Sequence, residues 1–320
     1  MKLHENKDVF VELIGAAAET VGLPEVYVEK DYWVSSVLKN LSASDFADKV
    51  VFKGGTSLSK AYKIIDRFSE DIDLAFISDG YSSNQVKKYL GVVEKEISNG
   101  LEYLKGDEKE SKGSSYRKTV YKYPRTTNEG NFGQVSPQLL LEINSFTTPE
   151  PFKQIKLNSI VAEFLLEHGR SDLLEEFKLN GFYVNVLSVE RTLVEKILAV
   201  VKDSYGENAV ETLRNRIRHM YDICMILRID EYRKFIQGME FKGFYEKCIA
   251  DEEGGFLESN SYKKPLAEAP IFDQNQNWKD KLLSTYSGVF KDLVFGEFPD
   301  FDEVLAALEF IKINLKSSAV

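Results

Sequence analysis

Residues 8–21 (DVFVELIGAAAETV) carry apolar side chains at the spacing of one helix face, and Gly22 and Pro24 end the run. A second helical pattern follows at about 25–40 (EVYVEKDYWVSSVLKN), where Val26, Trp33, Val37 and Leu38 can share a face. Residues 50–52 are short, apolar and partly β-branched, the signature of a buried strand. Gly54-Gly55-Thr56 comes next and opens a helical SLSKAYKII. Residues 71–77 (DIDLAFI) alternate polar and apolar before turning apolar throughout, which suits a strand entering a core. Residues 84–104 read as another helix, about 106–133 as a polar loop with room for a hairpin, and 138–146 (QLLLEINSF) as a further strand. From Ser188 onward helices dominate, at 189–203, 208–229, 231–248, 277–294 and 301–315, with a long connection at 254–275. The pattern predicts two domains, an α/β half over 1–186 and a helical half over 187–320.

Composition narrows the class. Lys and Arg total 41 against 51 Asp and Glu, a formal net charge of −10, with 43% hydrophobic and 29% charged residues. That mix excludes a wholly disordered chain, a fibrous repeat and a membrane-embedded protein. The acidic balance argues against a general nucleic-acid coat but leaves a local basic groove open, because phosphate affinity follows local charge. The N-terminus (MKLHENKDVF) lacks the apolar stretch of a signal peptide, and no window approaches the ~18 consecutive apolar residues of a spanning helix. Cys224 and Cys248 are too few and too far apart for a disulfide framework or a zinc site, and Cys224 lies in an apolar run (DICMIL) that reads as a buried thiol. A cytoplasmic protein without a membrane partner is the expectation.

Residues 51–76 (VFKGGTSLSKAYKIIDRFSEDIDLAF) concentrate the chemistry. Glycines at 54 and 55 permit backbone torsions closed to other residues and let a ligand approach the main chain. The first turn of the helix that follows has unpaired N–H groups, which suit phosphate oxygens, and Thr56 and Ser57 can add hydroxyls. Asp71 and Asp73 are two apart on a strand, so both project from one face, and two carboxylates aimed at one point repel unless a cation lies between them. Mg²⁺ favours a few carboxylates plus substrate phosphates. Taken singly, a Gly-Gly-Thr turn is a common helix cap and an Asp-x-Asp strand a common sheet face; in this order, joined by one helix, they read as a site for nucleotidyl transfer. GGTSLSK lacks the spacing of a Walker A loop, and no third glycine completes a dinucleotide-binding fingerprint.

Gly-Gly-Thr followed by Asp-x-Asp resembles the signature of the nucleotidyltransferase superfamily with the polymerase-β-like fold. The fuller string KGGTSLSKAY…RFSEDIDL, preceded by EKDYWVSSVL at 29–38, resembles the AbiEii/AbiGii toxin family of that superfamily. The resemblance implies an α+β fold, with an N-terminal mixed β-sheet flanked by helices and a C-terminal helical domain that completes the active-site cleft. It implies a metal-dependent enzyme, using Mg²⁺ or Mn²⁺, that transfers NMP from an NTP to an acceptor hydroxyl and releases pyrophosphate. The acceptor it suggests is the 3′ end of tRNA, and the setting a toxin–antitoxin or abortive-infection pair with an antitoxin encoded nearby. In that reading Asp71 and Asp73 hold the metal, and Gly54, Gly55, Thr56 and Ser57 cradle the triphosphate, with Lys60, Arg67 and Ser69 close by in the chain. Glu142, a carboxylate among Leu139, Leu140, Leu141 and Ile143, matches the superfamily's third acid as metal ligand or general base; a salt-bridged strand glutamate is the plain alternative.

The helical half holds two further matches. Arg191-x-x-x-Glu195-Lys196 resembles the family's R-x-x-x-E-K motif, and Arg218-x-x-x-Asp222-Ile its R-x-x-x-D-[IL] motif. In related toxins the matching Lys and Asp are needed for activity. The resemblance makes Lys196 a triphosphate contact, Asp222 an orienting group and Arg191 a nucleotide neighbour; a solvated lysine and an i−4 salt bridge from Asp222 to Arg218 are the alternatives. Residues 111–127 (SKGSSYRKTVYKYPRTT) carry Lys112, Arg117, Lys118, Lys122 and Arg125 with no acid, interleaved with Tyr116, Tyr121 and Tyr123. Such a strip suits a single-stranded RNA end, with a solvated hairpin as the alternative. Two rivals to an RNA-directed enzyme stand: a nucleotidyltransferase acting on a small molecule or a protein, and a non-catalytic nucleotide-binding regulatory protein.

Overall fold

A computed structural model describes residues 2–69, 71–127, 136–255 and 265–317. The chain divides into two compact units, one of Met1–Ala61 with Phe68–Leu187, the other of Tyr62–Arg67 with Ser188–Val320.

The first unit is built on a mixed sheet. Its strands are β1 (Val50–Lys53), β2 (Ile72–Phe76), β3 (Glu102–Tyr103), β4 (Ser111–Lys112), β5 (Tyr116–Lys122), β6 (Leu139–Asn144), β7 (Phe152–Leu157) and β8 (Phe182–Leu187). They lie in the order β3-β5-β6-β2-β1-β8-β7, with β4 paired to β5. The β2–β6 and β1–β8 pairs are parallel and the rest antiparallel. Val50, Val51, Phe52, Ile72, Leu74 and Ala75 are all fully buried, as strands at the centre of a sheet covered by helices must be. Helices α1 (Lys7–Val21), α2 (Glu25–Ser42), α3 (Gly54–Lys60), α4 (Ser83–Ile97), α5 (Ile160–Glu167) and α6 (Ser171–Glu176) belong to this unit. α1 closes at Gly22 in the left-handed conformation (φ 68°), α2 packs on β8, and α4 packs on β6.

Three consecutive charged side chains of the EKDYW stretch, two of them fully buried, make α2 a clamp. Glu29, fully buried, accepts bonds from Thr126 N (2.7 Å), Thr126 Oγ1 (3.0 Å), Thr127 N (3.0 Å) and Thr127 Oγ1. Lys30, also fully buried, donates to the Ser136 and Gln138 carbonyls at 2.6 and 2.7 Å. Asp31 accepts from Ile160 N at 2.7 Å and pairs with Lys60 at 2.5 Å. Three consecutive charges so placed bind four remote segments, at 60, 126–127, 136–138 and 160, which satisfies polar groups that burial would otherwise leave costly.

The second unit is helical: α7 (Val189–Asp203), α8 (Ala209–Asn215), α9 (Ile217–Leu227), α10 (Asp230–Gln237), α11 (Glu240–Gly255), α12 (Pro270–Thr285) and α13 (Phe301–Ser317). α9 packs against both α7 and α13. Tyr62–Arg67 joins it although it precedes β2 in the chain. Arg67 forms an antiparallel bridge with Val294, the Asp66 carbonyl accepts from Phe295 N at 2.9 Å, and Asp66 N donates to Tyr221 Oη at 3.2 Å. A single cut at 186 therefore misses this insertion, because a six-residue segment reveals its partners only through long-range bonds.

Several expected helices are shorter or broken, each for a local reason. The helix after Gly54-Gly55 stops at Lys60, and Lys63 then turns through φ 54°. The one expected over 84–104 ends at Ile97, and Gly100 (φ 94°) turns the chain into β3. The run 208–229 breaks at Arg216 (φ −105°, ψ 19°), and 231–248 breaks at Gly238 (ψ 162°). The helix expected at 277–294 starts earlier, with Pro270 in its first turn, and ends in an irregular turn at Tyr286–Phe290, where Gly288 leaves helical torsions. Residues 106–127 contain the hairpin for which the polar stretch left room, β4–β5, between irregular segments; 128–133 of that expectation lie outside the described residues, as do 256–264 of the expected connection. Cys224 and Cys248 are buried thiols that form no disulfide, and burial pushes the Cys224 thiol up to about 12. Among the described residues no helix is long and apolar enough to cross a membrane.

Candidate active site

β1 runs antiparallel to β2 and β2 parallel to β6, so three strands bring three charged positions into one row. Lys53 faces Asp73, and Asp73 faces Glu142. β5 extends the row, since Lys118 faces Glu142. The row thus reads Lys53, Asp73, Glu142, Lys118 across four adjacent strands, two carboxylates flanked by two cations. Ile72 and Leu74, and likewise Leu141 and Ile143, point to the opposite, buried face, so strand periodicity alone puts the acids on the more open side.

Both oxygens of Glu142 are engaged. Lys118 Nζ lies 2.6 Å from Oε1, and Tyr116 Oη donates to Oε2 at 2.8 Å. Burial and then the neighbouring Glu142 push the Tyr116 phenol well above its usual range, so it remains a donor. The salt-bridged reading of Glu142 and its place beside Asp73 therefore hold together.

Gly54 stands directly against Asp73. Its φ is +78°, and a methyl group built there would lie 2.1 Å from Asp73 Oδ2 and 2.9 Å from Cγ. Glycine is required at 54 twice over, by the torsion and by the carboxylate that fills the space of a side chain. The hydroxyls next to it face inward. Thr56 Oγ1 bonds Ser69 Oγ at 2.9 Å and donates to the Asp71 carbonyl at 2.6 Å, while Ser57 Oγ donates to the Gly54 carbonyl at 2.8 Å. Thr56 and Ser69 thus tie the glycine turn to Asp71, which lies just before β2 and not on the strand with Asp73, while Ser57 braces the turn internally. Lys60 is committed to Asp31, and both side chains are largely buried.

Arg67, Arg191, Lys196 and Asp222 sit in the helical unit. Asp222 is fully buried. Arg67 grips it with two bonds, Nε to Oδ1 at 2.6 Å and Nη2 to Oδ2 at 2.7 Å, and Lys196 Nζ lies 2.8 Å from Oδ2. Burial alone would raise this carboxyl; Arg67 and then Lys196 outweigh it and hold the group below the usual carboxylate range. The cations come from α7 and from the Tyr62–Arg67 segment, outside Asp222's own helix. Arg191 is 2% exposed and pairs with Glu195 at 3.3 Å and with Asp251. Beside this cluster, burial and the Lys196 charge hold the His219 imidazole well below its usual value, and its Nδ1 is sealed with no hydrogen-bond partner among the described residues.

The basic–aromatic strip is divided by the two-residue period of β5. Tyr116 and Lys118 turn to Glu142, whereas Arg117 pairs with Glu94 on α4 and Tyr121 donates to the same carboxylate at 3.1 Å. Lys112 lies 2.9 Å from Glu110. Tyr121 and Tyr123 are 3% and 6% exposed, so their rings offer no stacking platform. Lys122 is exposed and Arg125 half-buried. A cavity of about 220 Å³ between α2 and the stretch preceding β8, lined by Tyr32, Ser35, Lys39, Phe177, Lys178 and Phe182 among others, takes in none of the candidate site residues.

The family model described as nucleotidyl transferase AbiEii toxin, type IV toxin–antitoxin system, matches residues 36–307. The chain belongs to that family. It is accordingly a nucleotidyltransferase of the toxin class, and the match spans both the Gly-Gly-Thr…Asp-x-Asp region and the Lys196 and Asp222 helices. No curated protein matches it. Among solved structures it is similar to MenT4, a nucleotidyltransferase toxin of Mycobacterium tuberculosis H37Rv, with 15% identity, a TM-score of 0.48, and coverage of 96% of this chain and 99% of that one. Sequence reasoning missed the role of Glu29, Lys30 and Asp31, although EKDYW stood out as a motif, and it placed Tyr116 and Lys118 with RNA because their pairing with Glu142 is a matter of register.

Proposed function

We propose that this family member transfers a nucleoside monophosphate from an NTP to an acceptor hydroxyl, with the 3′ end of a tRNA as acceptor and an antitoxin as its cellular counterpart. The observation that carries the transfer is Asp73 beside Glu142 on neighbouring parallel strands, with Gly54 closed against Asp73. Among the described residues no three His, Cys, Asp or Glu side chains form a metal-holding group. Mg²⁺ needs only one or two carboxylates with substrate phosphates and water, so the all-oxygen pair Asp73 and Glu142, with Asp71 just before β2, fits it by donor chemistry. Bound there, a divalent ion would supply charge neutralisation for the triphosphate.

The remaining work falls to the chain. The glycine turn lets the triphosphate approach the main chain, and Thr56 and Ser69 keep that turn in place relative to Asp71. The acceptor oxygen forms a bond to the α-phosphorus as the bond to the bridging oxygen breaks, pyrophosphate leaves, and the hydroxyl proton passes to a carboxylate, for which Glu142 is the candidate. Lys196 and Asp222 act in this reading as a buried pair whose geometry Arg67 holds. The tRNA acceptor is supported by the family resemblance; the 111–127 strip adds only Lys122 and Arg125 to it.

The test is to incubate protein, Mg²⁺ and each labelled NTP with total RNA. Label should enter a tRNA-sized band with the native protein and not with Asp73→Ala. Equal labelling by both, or label in protein or small molecules only, overturns the assignment of the site or of the acceptor respectively.

A further inference from the structure

We propose that Lys118 is a resident counter-cation of the Asp73–Glu142 pair, holding Glu142 while no metal is bound and yielding Glu142 Oε1 when a divalent ion binds. The inference rests on the reading that this pair holds the metal.

Two carboxylates side by side on adjacent strands repel unless positive charge lies near them. Glu142 is served asymmetrically. Its Oε2 accepts from Tyr116 Oη, a neutral phenol, whereas its Oε1 is 2.6 Å from the Lys118 ammonium. The phenol orients the carboxylate without altering its charge and need not leave when a cation arrives. Lys118 competes directly with such a cation, because both are positive and want the same oxygen. It is also able to move: its ammonium sits on a flexible four-carbon stem and its side chain is 28% exposed. One oxygen is therefore held permanently and the other provisionally. Lys118, on this account, belongs to the active site and exchanges its partner from Glu142 to the incoming phosphates. The position differs from Lys60, which is nearly buried on Asp31, and from Arg117, which Glu94 holds on the other face of β5.

The test uses the full chain, Mn²⁺ as probe, and no nucleotide. Mn²⁺ affinity is read by the EPR signal of the free ion, and melting temperature is measured in EDTA and in Mg²⁺. Lys118→Met should lower the melting temperature in EDTA and tighten Mn²⁺ binding by up to about 5-fold, the range corresponding to a partly exposed ion pair. It should also gain more than the native protein does on adding Mg²⁺. Lys118→Arg, which keeps the charge, should bind Mn²⁺ as the native chain does; Lys118→Gln makes the same comparison should the Met variant fold poorly. Asp73→Asn separates the two layers of the argument. Unchanged or weaker Mn²⁺ binding by Lys118→Met and Lys118→Gln, with binding still abolished by Asp73→Asn, overturns the counter-cation and leaves the metal site standing. Native protein that binds no Mn²⁺, or binds it as well with Asp73→Asn, overturns the metal site and the counter-cation with it.

Discussion

Replacing Gly54 by alanine probes the closest approach in the site. The native residue holds φ +78°, where an L-residue costs about 1–2 kcal/mol. The added methyl would then stand 2.1 Å from Asp73 Oδ2, 2.9 Å from Cγ and 3.0 Å from Cβ. Ordinary contact requires the carboxylate to retreat by roughly 1.3 Å, which takes Asp73 off its preferred rotamer at a further ~0.5–1.5 kcal/mol. Gly54→Ala should therefore lose about 1.5–3.5 kcal/mol in urea denaturation. Gly22→Ala is the control, because Gly22 has a similar φ of +68° and nothing within 4 Å of the added methyl. It should lose only the backbone share, about 1–2 kcal/mol. Turnover should separate the two more sharply than stability does. A reacting group misplaced by an ångström costs about 100-fold, so Gly54→Ala should fall by that order in NTP incorporation while Gly22→Ala stays near native. If Gly54→Ala matched Gly22→Ala in both stability and turnover, the claim that the glycine exists to seat Asp73 would be wrong.

Arg67→Met should destabilise the chain by about 3–5 kcal/mol in the same denaturation assay, since it strips the bidentate partner from a fully buried carboxylate, and Lys196→Met should cost less because Arg67 remains. Glu29→Gln should cost about 2–3 kcal/mol: a carboxylate accepting from two N–H and two O–H donors is replaced by an amide whose NH₂ faces donors. Stability should also fall with acidification in two stages. His219 is held neutral in the folded state, so the unfolded chain takes up the extra proton as pH drops through 6.5, with a slope of at most about 1.4 kcal/mol per pH unit that His219→Gln should flatten. Asp222, whose folded value is depressed, contributes fully above the unfolded value of 3.8, and its share is lost as pH falls below that point; denaturation midpoints at stepped pH would show whether the first stage follows His219.

Apolar periodicity by itself determined α1, α2, β1, β2, β6 and α7 within a few residues, and the order Gly-Gly-Thr then Asp-x-Asp picked out the stretch proposed to carry the chemistry. These signals are local: a helix face or a strand face is written within one element, and so is a glycine beside a helix start. Register is not local. That Lys118 faces Glu142, that Glu142 faces Asp73, and that β5 splits a basic strip between two faces follow from pairings between strands far apart in sequence, which one-residue slips would invert. The same holds for Arg67. It stands four residues before Asp71, and chain proximity placed it with the phosphate cradle; bonds to Asp222 and a bridge to Val294 put it in the helical unit instead. A buried carboxylate recruits its cations from wherever the fold brings them, and no spacing along the chain records that choice.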